Sequence, residues 1–442
     1  MNKLCIKITH SAKSLSSFSG LLLFSDLISK FELQSVVAPF LPRKQRDRGF
    51  SSFQKIYSGI LGFVAGAECI DDFDSLAKDP LFFELTGSPS SITIGNFLRS
   101  FSLRQIEQLR NQLPCLALKI RLWFEPKMKK IIFKMDGTLH EQFGNKMEGV
   151  EFNYKNFKSL SSQNLFDDKG LCYGFNLRRG ATHSSIGAVE MLSNTFKYVP
   201  KSIQKYFLAD SAYANIDIYN CLLNNHVNFA ICLPETAWGA LLENYGNKIT
   251  WHKTRMKFFD SLKCEIGDII YPKKGLTMGR TFLRVVLIRT KKKEIKAGDN
   301  HPYHYYAIVT NISHSEMTNE NILRFYRKRA NVENYIKDLK NGMDFHHFPC
   351  QSLKANHVWG LIGIIAYNLM RIASFTLFPK TGCFIKTTRR KIVSLASEVI
   401  KHARSIEIRM MNYLAEEVKR LKMILCRLSF NDREDRLNPL RP

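Results

Sequence analysis

Acid is scarce in this 442-residue chain. Its 39 Asp and Glu face 65 Lys and Arg, giving a net charge of +26 and a pI near 9.6. An excess of that size points to a polyanionic partner, with nucleic acid favoured over a membrane surface. Paired cysteines are missing as well. The ten cysteines (Cys5, Cys69, Cys115, Cys172, Cys221, Cys232, Cys264, Cys350, Cys383, Cys426) are scattered, and no two stand three apart. That argues against a zinc ribbon and suits reduced thiols in a cytoplasmic protein. Long apolar runs are absent too. Residues 20–24 are apolar but are soon followed by Asp26, with no small-residue cleavage site, so they read as a buried helix and not as a signal peptide. Residues 359–370 are stopped by Arg371, short of the ~20 needed to span a bilayer, and read as a core helix. No internal repeat or low-complexity segment is present.

What remains is a patterned, mixed chain. Residues 1–125 carry helical periodicity, a basic cluster at 43–48 and a turn at 87–90, and form an expected N-terminal helical, DNA-binding region. Residues 91–99 suit either a helix seated in DNA or an ordinary amphipathic one. The texture changes at residues 130–136, a β-branched and aromatic run ending in Asp136, and a second such run, 206–210, ends in Asp210. Acids at strand ends lie where α/β sheets place ligands. Residues 235–303 alternate short strands with turns and the cationic run 291–293, and read as a β-rich insertion. Trp238 and Trp251 within it suit packing, or stacking on a displaced base. The tail beyond 379 is basic, with a helix expected over 413–428.

Between residues 325 and 343 the spacing is informative. At about 100° per residue, Arg329, Glu333 and Lys340 fall at roughly 300°, 340° and 320° from Tyr326, a single narrow stripe on a continuous helix. Phe325, Val332, Ile336, Leu339 and Met343 form a neighbouring apolar edge. Asn331 is able to cap a second helix and so break the stripe above Glu333. As plain surface chemistry, an Arg329–Glu333 pair contributes only a few tenths of a kcal/mol. Asp136, Asp210 and Glu333 together say more, because three convergent carboxylates suit two Mg²⁺ ions, with Mn²⁺ as a substitute, in phosphodiester displacement.

These residues carry a resemblance. Tyr326, Arg329, Glu333 and Lys340, with the flanking Asp136-Gly137-Thr138, Glu148-Gly149-Val150-Glu151-Phe152-Asn153-Tyr154-Lys155, Ala209-Asp210-Ser211-Ala212-Tyr213 and Asn341-Gly342-Met343-Asp344-Phe345-His346-His347, resemble the insertion-sequence DDE transposases bearing a Tyr-Arg-Glu-Lys signature. The resemblance covers residues 130–375, and Ala212 stands where many such proteins have Gly. It implies an α/β, RNase H-like core in two parts (126–234 and 304–378), split by the insertion at 235–303 and followed by the basic region 379–442. It further implies that Asp136, Asp210 and Glu333 bind the metals and act catalytically, and that Tyr326, Arg329 and Lys340 hold DNA. The implied partners are double-stranded DNA, as terminal inverted repeats and target, and a second copy of the chain in a synaptic dimer. A nuclease or resolvase on the same fold and a catalytically silent DNA-binding descendant are the alternatives.

Overall fold

The computed structural model describes residues 13–44, 48–144, 146–258, 263–280, 282–292, 302–379, 382–402, 406–410 and 419. The helix expected over 413–428 lies outside these residues except at 419, as do 45–47 of the basic cluster and Lys293. The chain divides into two compact units, one of residues 1–112, 146–148 and 338–442, the other of 113–145 and 149–337.

The first unit is mainly helical. After a short strand β1 (Leu15–Ser16) come helices Leu21–Lys30, Ser52–Ala65, Pro80–Thr86 and Ser91–Arg99. Their boundaries follow local chemistry. Ser51 and Gln54 form a reciprocal capping box, Asp79 caps a helix with Pro80 in its first turn, and Ser90 caps the helix beginning at Ser91. That last helix buries Ile94, Phe97 and Leu98, as an amphipathic helix does.

The second unit is a ten-stranded mixed sheet. Its strands are β2 (Lys130–Glu141), β3 (Glu151–Phe152), β4 (Lys158–Phe166), β5 (Cys172–Arg179), β6 (Gln204–Ala209), β7 (Val227–Cys232), β8 (His252–Thr254), β9 (Cys264–Pro272), β10 (Phe282–Lys291) and β11 (Tyr303–Thr310). The hydrogen-bonded order is β3-β4-β2-β6-β7-β11-β10-β9-β8, with β5 paired to β4; β2, β6 and β7 run parallel and the other pairings are antiparallel.

Two features differ from the sequence expectation. Asp136 is not at a strand end, because β2 continues to Glu141 along β4, from Lys134↔Phe166 to Glu141↔Ser159. What ends near Asp136 is the parallel pairing to β6, whose last pair is Lys134↔Leu208. The strands of the expected insertion also share the central sheet. β11 joins β7 through Ile308↔Cys232, Val309↔Ile231 and Thr310↔Ala230, and β10 then lies along β11. Met256, Cys264, Ile266, Val286 and Ile288 pack in one apolar cluster with Ile132, Leu208, Ala230 and Tyr326. Trp238 is buried against Tyr305, and the Arg289 guanidinium lies 3.9 Å from the Trp251 ring centre, so both tryptophans have packing roles.

The chain then returns to the first unit. Helix Leu353–Leu377 packs Trp359 on Phe63, ring centres 4.4 Å apart. It therefore groups with the N-terminal helices and not with the ten-stranded sheet. Residues 353–375 are long and apolar enough to cross a membrane, longer than the expected run, but the most apolar window is wholly buried. Strands β12 (Ser397–Lys401) and β13 (Ile406–Met410) complete a small sheet with β1. Buried Arg389 donates to the carbonyls of Phe63, Val64 and Gly342, closing the ends of two helices.

Candidate active site

The parallel register of β2 and β6 places the first two acids. Two residues beyond the pair Lys134↔Leu208, Asp136 and Asp210 project from neighbouring segments to the same side. One oxygen of each is fixed by backbone. Asp136 Oδ1 accepts from the Gly137 N–H (2.8 Å) and Asp210 Oδ1 from the Ala212 N–H (3.1 Å), capping the one-turn helix Ser211–Tyr213. Ala212 thus fills its position through its backbone alone.

The third acid arrives through a break. Helix Asn319–Arg327 gives way to a tight turn, Lys328–Ala330, before helix Asn331–Gly342 resumes. Three residues at about 120° each, in place of about 100°, turn the later helix by roughly 60° relative to a continuous one. The single stripe is therefore corrected. Tyr326 points into the sheet's apolar cluster, its ring 6.0 Å from that of Tyr306, and hydrogen-bonds Tyr306 and Cys232, while Glu333 is 65% exposed. Burial pushes the Tyr326 phenol far above its usual range. Lys340, half-buried in the last turn of the same helix, belongs to the other compact unit.

Arg329, at the centre of that tight turn, joins the acids. Its Nη2 lies 3.1 Å from Asp136 Oδ2 and 3.3 Å from Asp210 Oδ2, and its Nη1 lies 3.4 Å from Glu333 Oε1. The side chain is only 17% exposed, and its buried Nε has no hydrogen-bond partner among the described residues. Burial alone would lower the guanidinium pKa, yet Asp136, Tyr326, Asp210 and Glu333 leave it raised. Burial pushes the Asp136 carboxyl up to about 6 against the opposing pull of Arg329, with Asp210 adding to the rise. One cation holds three acids.

Sequence reasoning missed the polar surroundings. Asn164 is directly opposite Asp136 in the ladder, fully buried, donating to Ser162 Oγ at 3.0 Å while its own Oδ1 has no partner among the described residues. Lys134, Thr138 and His140 share Asp136's face of β2, and His140 Nε2 meets Ser162 Oγ at 2.8 Å. A polar residue at every second position of that strand was the available signal. A second missed cluster, Arg121 with Asp167 (3.3 Å) and Asp168 (3.4 Å), lies at the far end of β4; burial pushes Asp167 up to about 6, with Arg121 opposing. Nothing in the spacing of Arg121, Asp167 and Asp168 announced it.

Among the described residues, no group of three or more His, Cys, Asp or Glu is arranged as a ready-made metal cluster. The donors nonetheless fit a hard divalent cation in kind. Asp136, Asp210 and Glu333 offer oxygen only, and they converge on a single positive group.

Comparison with protein-family profiles matches residues 2–429 to the transposase DDE domain, group 1. The chain belongs to that family. Comparison with curated proteins gives no match. Family membership accords with the large mixed α/β sheet and implies DNA as the partner, and DDE transposases use divalent metal ions.

Proposed function

We propose that this DDE-family chain cleaves DNA at the ends of a mobile element and joins the freed 3′ ends to target DNA. The observation that carries the reading is the convergence of Asp136, Asp210 and Glu333 on Arg329. The strand order β5-β4-β2-β6-β7, with β4 alone antiparallel, supports an RNase H-like core around those acids. When bound, divalent cations, Mg²⁺ or Mn²⁺, supply activation of the attacking oxygen and stabilisation of the leaving one. The protein's part is placement. Backbone donors lock one oxygen of Asp136 and one of Asp210 and leave the second of each toward the site, and Glu333 stands exposed on its helix. Arg329 carries a planar fork suited to a phosphate, the role we assign also to Lys340. Buried Tyr326 anchors the turn that presents Arg329. Two copies acting on two ends, in the cytoplasm, complete the proposal.

The test is substitution of each acid. Asp136→Ala, Asp210→Ala and Glu333→Ala should each lose Mg²⁺-dependent nicking of end DNA by on the order of a hundredfold or more while keeping duplex affinity. Cleavage above a few per cent of the parent's would remove that residue from the site. A strand-transfer assay on pre-cut ends separates transposition from simple nuclease action.

A further inference from the structure

Exposed aromatic side chains gather at one end of the β2–β4 ladder. Phe143 is 80% exposed, Phe152 63% and Tyr154 82%. They are neighbours by hydrogen bonding: the Gln142 N–H donates to the Lys158 carbonyl (3.0 Å), and Phe152 pairs with Lys158 across β3 and β4. The turn between those strands is held rigidly. Asn153 N–H donates to the Phe157 carbonyl (3.1 Å), Asn153 Oδ1 accepts from the Lys155 N–H (2.7 Å), Asn153 Nδ2 donates to Ser159 Oγ (2.9 Å), and Asn156 takes a left-handed φ of 60°. Two rings are flanked by ammonium groups, Lys155 Nζ 5.7 Å from the Tyr154 centre and Lys158 Nζ 5.6 Å from that of Phe152.

We infer that this hairpin tip is a stacking platform for unpaired nucleotides of a DNA strand. Three observations select that occupant. Large rings left mostly open on a hydrogen-bonded turn present flat apolar faces to solvent, and bases have flat faces to cover them. The lysines beside the rings supply phosphate contacts, and the chain's charge of +26 favours a polyanion. The patch also lies just past the end of the strand that carries Asp136, whose last residue Glu141 is five residues, roughly 17 Å, beyond that acid. A protein contact surface would bring fewer cations among its aromatic groups. The inference stands apart from the metal site and survives if the acids prove inert.

The test uses the full-length chain, a fluorescent oligo-dT of about sixteen nucleotides, at the upper end of a single-strand site, and a duplex of equal length. Tyr154→Ser and Phe152→Ala should each weaken oligo-dT binding on the order of tenfold and leave duplex affinity within about twofold. Lys155→Gln with Lys158→Gln should lower the log–log salt slope for oligo-dT by roughly 1.4, at about 0.7 per phosphate contact. Tyr154→Ser alters an exposed ring and keeps the fold intact, which a matching melting temperature verifies. Unchanged oligo-dT affinity, or equal loss on both DNAs, overturns the inference. Unchanged DNA binding with a shift in sedimentation would also overturn it, and would assign the patch to a second copy.

Discussion

Replacing Arg329 with Met removes the one cation shared by three carboxylates, and the consequence should depend on pH. Even with Arg329 in place, the Asp136 pKa of about 6 lies above its ordinary 3.8. The folded state therefore binds that proton more tightly than the unfolded chain. Stability falls as pH rises between about 4 and about 6, at a cost near 3 kcal/mol. Without the guanidinium the pKa rises further and the fall continues to higher pH. Breaking a fully buried pair costs about 3–5 kcal/mol. Here Asp210 is a third exposed and Glu333 largely so, which reduces the expected loss to about 2 kcal/mol. For a unit of this size that is a fall of roughly 4–8 °C in Tm. Thermal melts at about pH 8 should show this deficit and melts at about pH 5 should show little of it, since Asp136 is then protonated in both proteins. Mg²⁺ added at the higher pH should raise the Tm of Arg329→Met more than that of the parent. An equal deficit at both pH values would refute the account, leaving Arg329 a packing role only.

Two further outcomes are expected. Affinity for non-specific duplex should fall steeply with salt, at a log–log slope of about 0.9 per phosphate neutralised, measured by titration in rising KCl; a flat response would return the +26 to mere solubility. Replacing residues 236–302 by a short linker removes β8, β9 and β10 and bares Ile308 and Tyr326, so the variant should lose its cooperative melt; a transition within a few degrees of the parent's would show that the remaining strands suffice.

The strands that lead to Asp136 and Asp210 could be read from the chain because both sit in strong local context. Residues 130–136 and 206–210 are β-branched and aromatic runs, and both form strands in parallel register. The exit of β2 from that register could not be read, since the strand stays hydrogen-bonded to β4 beyond Asp136. The helical arithmetic around residue 329 failed because it assumes an unbroken 3.6-residue turn. Lys328, Arg329 and Ala330 are good helix formers, and their tight turn goes with long-range pairing of Arg329 to Asp136 and Asp210, which no local propensity encodes. Asn164 was missed for a similar reason: its importance lies in the residue facing it across a ladder. The join between residues 264–310 and the central sheet rests on β11 meeting β7, about eighty residues apart, and strand texture alone cannot say which sheet a strand enters.

The small β1-β12-β13 sheet has a consequence for synthesis. Ser19 and Gly20 donate to the carbonyls of Leu395 and Val393, and β1 pairs with β12, so residues 15–20 of the helical unit wait for partners some 375 positions later. At about 5–20 residues per second that is a delay of roughly 20–75 s on the ribosome. The sheet unit, ending at residue 337, is fully translated before those partners exist. A growing chain would thus have its three acids assembled while the first helices were still open, and a nascent chain halted near residue 350 should protect the sheet from protease and leave residues 15–30 cleavable.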